Sequence, residues 1–192
     1  MKKVWYETFT IKNGRQLRVR QMRYDDAPYL LEIFEHMGAN SRYHRFHQSV
    51  ENVSEERKWQ EARRIAQVDS AHSEGIIAFA DFPGKPNMAV AAARFVCIGD
   101  GVAEAAISVI DALQQQGVGT KLMGFLVEIA LAAGVRQLVA SIQSDNMGIW
   151  KILQRLPYSV RRVSQGSFAE VFVDLTQLKE TAVAPSIEQI YP

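Results

Sequence analysis

Gln114-Gln115-Gln116-Gly117-Val118-Gly119-Thr120 follows an apolar stretch, Ala103–Val109, and runs straight into Lys121-Leu122-Met123-Gly124-Phe125-Leu126. The stretch before it reads as a strand. The stretch after it sets Val118, Leu122, Phe125, Leu126 and Ile129 on one helical face and stops near Gly134. The unit is strand, glycine turn, helix. Backbone N–H groups at such a helix start converge on one spot and carry the positive end of the helix dipole, so a pyrophosphate is favoured there. Glycine lets a ligand approach the backbone closely. Two familiar phosphate loops fail on spacing. A P-loop needs lysine directly after its last glycine, where Thr120 stands, and a dinucleotide fingerprint needs a third glycine at Leu122. A bare strand-to-helix turn is the plain alternative.

Downstream, Gln137–Ile142 reads as a strand, and a helix opens after Ser144 or Asp145, carrying Ile149, Trp150, Ile152, Leu153 and Leu156 before Pro157. Two closing strands fit Tyr158–Val163 and Phe168–Leu175, and residues 177–192 read as a tail. Upstream, Thr8–Ile11 and Leu17–Arg20 alternate in polarity around Asn13-Gly14, a hairpin placed within residues 4–22. Asp25 or Asp26 then caps a helix with Pro28 in its first turn and Gly38 as its stop. A second helix starts at Ser54 and runs through Trp59 and Ile65. Ile76–Ala80, Ala89–Val96 and Ala103–Val109 form an antiparallel meander, broken by turn-rich Asp81–Asn87 and Gly99–Gly101. The class is α+β, with a sheet that is partly parallel where a helix connects strands.

The whole chain narrows the function. With 192 residues, 47% hydrophobic and 22% charged, it reads as one globular domain rather than a disordered chain. A net charge of +1 gives no general attraction to nucleic acid. The single cysteine, Cys97, excludes an internal disulfide and a multi-thiolate metal site, and a reducing cytoplasm fits. Glu7 and Lys12 interrupt any signal-peptide core, and no stretch reaches membrane-spanning length. His44 and His47 lack the companions a metal needs, so no metal is expected. Arg42, Arg45, Arg161 and Arg162 could bind an acidic substrate or a ribose phosphate, or could be ordinary surface charge. Oligomeric state is left open.

Gln114-x-x-Gly117-x-Gly119 after an apolar strand resembles the pyrophosphate signature of the GNAT superfamily of N-acetyltransferases. Asn146, opening a helix that leads to Leu156-Pro157-Tyr158, resembles that family's Asn helix and its Leu-Gly-Phe ending. The resemblance spans roughly residues 17 to 176. Leu17–Asp26, Ser41–Phe46 and Ala103–Ala106 are most similar to bacterial Pat-type protein lysine acetyltransferases, which are commonly fused to regulatory or ligase-like domains for which this length leaves no room.

The resemblance implies a single GNAT domain over residues 1–176, with a mostly antiparallel sheet of about seven strands and about four helices. It implies acetyl-CoA as acetyl donor, held by Ile107, Val109, Gln114, Gln115, Gln116, Gly117, Val118, Gly119, Thr120 and Asn146. Glu104 matches the catalytic glutamate of Pat-like members, a base that would take a proton from the attacking amine, with its pKa raised if it sits in an apolar cleft. A backbone N–H near Val109 would polarise the thioester. The acceptor is a primary amine, possibly a protein lysine, with a small-molecule amine as the alternative. One feature departs from the family. Leu153 falls where many relatives carry a tyrosine that protonates the leaving thiolate, with Tyr158 a weak substitute, so a non-catalytic acyl-CoA-binding regulatory module is the other reading.

Overall fold

The structure, a computed structural model, describes residues 6–48, 50, 53–67 and 72–179. Strands β1 (Tyr6–Thr10) and β2 (Gln16–Gln21) form the expected hairpin, and Gly14 takes the left-handed φ of 83° that the turn requires. Residues 4 and 5 of that expected hairpin lie outside the described residues. Strands β3 (Ser73–Phe82), β4 (Lys85–Gly99) and β5 (Val102–Val109) make the meander. The turn expected over Asp81–Asn87 shrinks to Pro83-Gly84, because Phe82 already pairs with Lys85. Its polar residues are absorbed at the strand ends: the Asn87 N–H donates to Asp81 at 2.8 Å and Arg18 clamps both Asp81 oxygens at 2.7 Å.

From β5 the chain crosses through α4 (Val118–Ala132) to β6 (Gln137–Gln143), which lies parallel to β5. Helix α5 (Met147–Arg155) and the hairpin of β7 (Tyr158–Gln165) and β8 (Phe168–Leu178) complete one sheet of order β1-β2-β3-β4-β5-β6-β8-β7. The sheet has eight strands rather than about seven, because the N-terminal hairpin joins it as its edge. β8 runs through Leu178, with Leu178 paired to Tyr158, so Gln177 and Leu178 are strand and not tail. Residues 180–192 lie outside the described residues.

The other helices are α1 (Ala27–Glu35), α2 (Ala39–Phe46) and α3 (Glu55–Ala66), making five rather than about four. The unexpected one is α2. It buries no residue fully and starts on Gly38 without a capping side chain, so no apolar period announces it. Asp26 stands at the N-cap of α1 but does not cap it; its carboxylate instead takes Arg20 of β2 in a two-point bond at 2.6 Å, at 1% exposure.

Alternation along β5 assigns the two faces of the sheet. Ala106 and Ser108 look toward Leu30, Ile33 and Ile65 of α1 and α3, while Ile107 looks toward Gly119 of α4. Covered on both sides, β3 and β4 carry the near-continuous buried run Ile76–Ala80 and Met88–Ala93. In α4, Val118, Leu122, Leu126 and Ala130 are at most 1% exposed, which fixes the helix start, and the glycine turn before it, against the sheet. Burying each large apolar side chain contributes about 1.5–3 kcal/mol.

Candidate active site

β5 and β6 pair only at Val102–Gln137, Ala103–Leu138 and Glu104–Val139. Past Glu104, β5 stays bonded to β4 as far as Val109, and β6 stays bonded to β8 as far as Gln143, so the two strands part in the middle of the sheet. Unpaired strand edges need polar partners or water, and a cleft meets them here. One cavity of about 500 Å³ is lined by Glu104, Ala106, Val139, Ser141, Leu153 and Phe168. A second, of about 630 Å³, is lined by Val109, Gln114, Gln115, Gly117, Gly119 and Thr120. Both are also lined by His44, Arg45, Ile107, Asn146 and Ile149, so they adjoin across the parted strands.

The glycine turn closes the second cavity. Gly117 is the N-cap of α4 at φ 94°, and no side chain caps the first-turn N–H groups. A Cβ built on Gly117 meets nothing within 4 Å, whereas one on Gly119 would stand 2.7 Å from Ile152 Cδ1. Gly117 therefore serves the backbone conformation and the open approach; Gly119 lets α5 pack close. Gln115 also holds a left-handed φ of 60°, an arrangement that costs a non-glycine residue about 1–2 kcal/mol. Lys12, from the β1–β2 turn, fixes this geometry: its N–H donates to the Gln116 carbonyl at 3.2 Å and its ammonium to the Gln115 carbonyl at 3.1 Å. In a trans peptide the next N–H points the opposite way, so the Gln116 and Gly117 N–H groups face away from Lys12.

Among the residues expected to hold a cofactor, Ile107, Val109, Gln114, Gln115, Gly117, Gly119, Thr120 and Asn146 all line the second cavity. Gln116 and Val118 do not line it: Val118 is 1% exposed, its side chain in the core. Gln114 has a scaffolding role that its position alone does not reveal. Its amide donates to Ser41 Oγ at 2.9 Å, to Asp111 at 3.1 Å and to the Val109 carbonyl at 3.2 Å, tying the end of β5 to α2. Asn146 caps α5, accepting the Ile149 N–H at 3.2 Å, and its amide nitrogen remains available to the cleft. Glu104 lines the first cavity but is exposed rather than enclosed. Leu153, at 5% exposure, puts an apolar surface on that cavity.

Three cations missed by sequence reasoning, Lys12, Lys151 and Arg155, also line the second cavity, beside Arg45, which the sequence had offered for an acidic substrate or a ribose phosphate. Lys151 and Arg155 had a readable signal, since Gly148, Lys151, Ile152 and Arg155 fall at i, i+3, i+4 and i+7 of one α5 face. Lys12 had none, standing 103 residues from Gln115. The collected charge suits an anionic ligand.

α2 spans the parted strands. Arg45 Nε donates to Ser108 Oγ of β5 at 3.2 Å, His44 Nε2 lies 3.2 Å from Asp145 before α5, and Gln143 of β6 donates to the Tyr43 carbonyl at 3.4 Å. Burial, with Arg94 adding to it, lowers the Arg45 pKa to about 10, so the guanidinium stays charged at neutral pH. Burial, and then the Arg45 charge, holds the His47 imidazole below its usual range, which keeps it neutral at pH 7. The field of Glu104 reaches Arg45, Arg64, Arg94 and His47. Among the described residues no group of three or more His, Cys, Asp or Glu is gathered for a metal, and no helix is long and apolar enough to cross a membrane.

Residues 16–158 fit the acetyltransferase (GNAT) domain, well over half of the chain. The chain therefore belongs to the GNAT acetyltransferase family, N-acetyltransferases that use acetyl-CoA as co-substrate. Within it, the chain is similar to Pat-type catalytic domains. It is 42% identical to acetyltransferase Pat of Mycolicibacterium smegmatis over 69 residues, 35% of this chain and 21% of that protein. The GNAT domain of S. lividans PAT superposes with a TM-score of 0.74 at 25% identity, covering 89% of this chain and 97% of that one. A cAMP-binding acyltransferase from Mycobacterium smegmatis gives a TM-score of 0.59 at 26% identity, over 95% of this chain and 51% of that one. The chain thus spans about a fifth to a half of the longer relatives it matches.

Proposed function

We propose that this domain transfers the acetyl group of acetyl-CoA by direct attack to a primary amine, with a protein lysine as acceptor. The observation that carries the reading is the end of the β5–β6 ladder at Glu104 and Val139, which opens adjoining donor and acceptor cavities. In this reading the pyrophosphate lies against the first-turn N–H groups of α4, with Lys12, Lys151 and Arg155 supplying charge. The pantetheine arm passes Asn146, and the thioester lies beside Ile107 and Val109. Glu104 accepts the proton of the amine as its nitrogen bonds to the acetyl carbon, the C–S bond breaks, and the coenzyme thiolate takes a proton from solvent. Leu153 offers no proton there. Similarity to Pat domains supports the lysine acceptor, and a reducing cytoplasm suits the lone thiol of Cys97.

The test measures thiol released from acetyl-CoA with a panel of lysine peptides and small amines, native against Glu104→Gln. The expected loss in kcat is about 10²–10⁴-fold, the usual contribution of a general base. A Glu104→Gln protein as active as native at every pH removes the assignment. Leu153 favours a second reading, a non-catalytic acyl-CoA-binding module, for which tight acetyl-CoA binding with no turnover on any amine is the signature.

A further inference from the structure

Arg45, like Arg94, which donates to the Ile65 carbonyl, forms no ion pair among the described residues, and its position sets it apart. Arg18, Arg20, Arg64 and Arg136 each hold a carboxylate, on Asp81, Asp26, Glu61 and Asp100. Arg42 donates to the carbonyls of Phe34 and Glu35, Arg161 lies 4.0 Å over Phe172, and Arg162 lies 4.5 Å over Trp150. Arg45 has one hydrogen bond among the described residues, from Nε to Ser108 Oγ, lies 5.2 Å over the Phe46 ring, and feels Glu61 and Glu104 without an ion pair to either. A guanidinium has five N–H donors, so four stay unassigned. Arg45 is half-buried where cavities open, and a cation partly withdrawn from water is favoured by an anion beside it.

Position makes Arg45 a candidate for ligand recognition. Arg45 lines the donor cavity, the acceptor cavity and a small third cavity of about 40 Å³ between Phe34, Phe46, Arg94, Ala106 and Ser108. A water needs about 10–15 Å³ of such space, so the third cavity has room for a carboxylate-sized group. Across the antiparallel β4–β5 pair, Arg94 faces Ala106 and Val96 faces Glu104, which puts Arg94, Glu104, Ala106 and Ser108 on one face. Arg64 is already held by Glu61 at 2.6 Å. Two guanidiniums, on Arg45 and Arg94, therefore stand against one carboxylate, on Glu104, and the face carries surplus positive charge where the reaction is placed.

We infer that Arg45 is a carboxylate-recognition point where the donor and acceptor cavities meet, so that one of the two substrates carries a carboxylate. Two sources share this chemistry: a carboxylate beside the acceptor amine, such as an acidic side chain next to the acetylated lysine, or the far end of a dicarboxylic acyl group that coenzyme A carries in place of acetyl. The guanidinium fork binds a carboxylate at two points, which an ammonium cannot do. Burial holds the Arg45 pKa near 10, and a bound carboxylate would relieve the penalty that causes this.

The inference rests on the acyltransferase reading, and the test separates the two through binding as well as turnover. Native protein, Arg45→Gln and Arg45→Lys, each checked for folding by circular dichroism, are titrated calorimetrically with succinyl-CoA and acetyl-CoA, and with 6-aminohexanoate and hexylamine in the presence of coenzyme A. The readout is the affinity ratio within each pair for each protein. Native protein is expected to prefer the carboxylate member of one pair by about tenfold or more, a charge-assisted bond of about 1.5–3 kcal/mol. Arg45→Gln should bring that ratio close to one, and Arg45→Lys should leave it between the two. Preference in the succinyl-CoA arm assigns the carboxylate to the donor; preference in the 6-aminohexanoate arm assigns it to the acceptor. Equal affinities in both native arms, or a preference that survives Arg45→Gln, overturns the inference. Coupled thiol-release assays on the same pairs show turnover separately: binding preference without turnover sinks the enzyme reading and leaves the recognition point standing.

Discussion

Gly117 and Gly119 stand two residues apart and are glycine for different reasons, so alanine should act differently at each. At Gly117 the obstacle is φ, 94° with open space where a Cβ would go, and Gly117→Ala should cost about 1–2 kcal/mol of stability by thermal or denaturant unfolding. At Gly119 the backbone is helical and the obstacle is Ile152 Cδ1 at 2.7 Å, the movable end of a side chain. Gly119→Ala should leave stability within about 1 kcal/mol of native, since alanine gains that much in helix propensity. It should instead raise KM for acetyl-CoA, because Ile152 can yield only toward the cavity it lines. Equal effects on stability would mean that the turn is not strained at Gly117. Both glycines stood out in the sequence. Their separate reasons did not, because a φ value and a neighbour 33 residues away leave no mark on spacing.

The element that joins the candidate site together is α2, and the residue that caps its C-terminus carries a pH prediction. His47 holds a left-handed φ of 57° and stacks on Phe168 of β8 at 5.2 Å. Burial lowers its pKa most, the charges of Arg45 and His44 lower it further, and Glu104 and the Ser141 backbone raise it. In the unfolded chain the imidazole titrates near its ordinary value of about 6.5. Below that pH the unfolded state binds a proton that the folded state refuses, so stability present above it falls as pH drops toward the folded value. His47→Asn, which tolerates the left-handed backbone, should flatten the decline below about pH 6.5 in thermal midpoints measured against pH. An unchanged slope would place the pH dependence elsewhere. The segment Ser41–Phe46 attracted notice for its likeness to relatives, but its helix stayed hidden because, Phe46 apart, its inward groups are polar, with partners on Ser108, Gln114, Gln143 and Asp145.

At the scale of the whole molecule, the Arg20–Asp26 pair joins the hairpin sheet edge to the first helix. Asp26 is 1% exposed, its two oxygens take both Arg20 nitrogens at 2.6 Å, and one also accepts the Arg23 N–H at 2.8 Å. The Asp26 hydrogen bond, the largest influence on Arg20, raises its pKa above its already high ordinary value. Asp26→Ala leaves a part-buried guanidinium without its partner and should cost about 3–5 kcal/mol of unfolding free energy, read from the denaturant midpoint at constant slope. A loss under about 1 kcal/mol would class the pair with exposed ion pairs. Because β1–β2 also delivers Lys12 to the glycine turn, loosening this corner should weaken acetyl-CoA binding too.

Periodicity alone determined the strands, the helices with an apolar stripe and the glycine turn, because hydrophobic spacing and backbone-specific residues act over a few positions. The turn's setting between an apolar strand and an amphipathic helix was enough to suggest a phosphate site and, with Asn146, to point to the family. Tertiary structure decided the rest. The parting of β5 from β6 past Glu104 depends on which neighbours hold each strand, β4 for one and β8 for the other. The seating of the polar helix α2, the reach of Lys12 to Gln115 and the placing of Arg45 on Ser108 depend on partners 63 to 103 residues away. Such contacts are set by the packing of complete elements, and the sequence near each residue carries no trace of them.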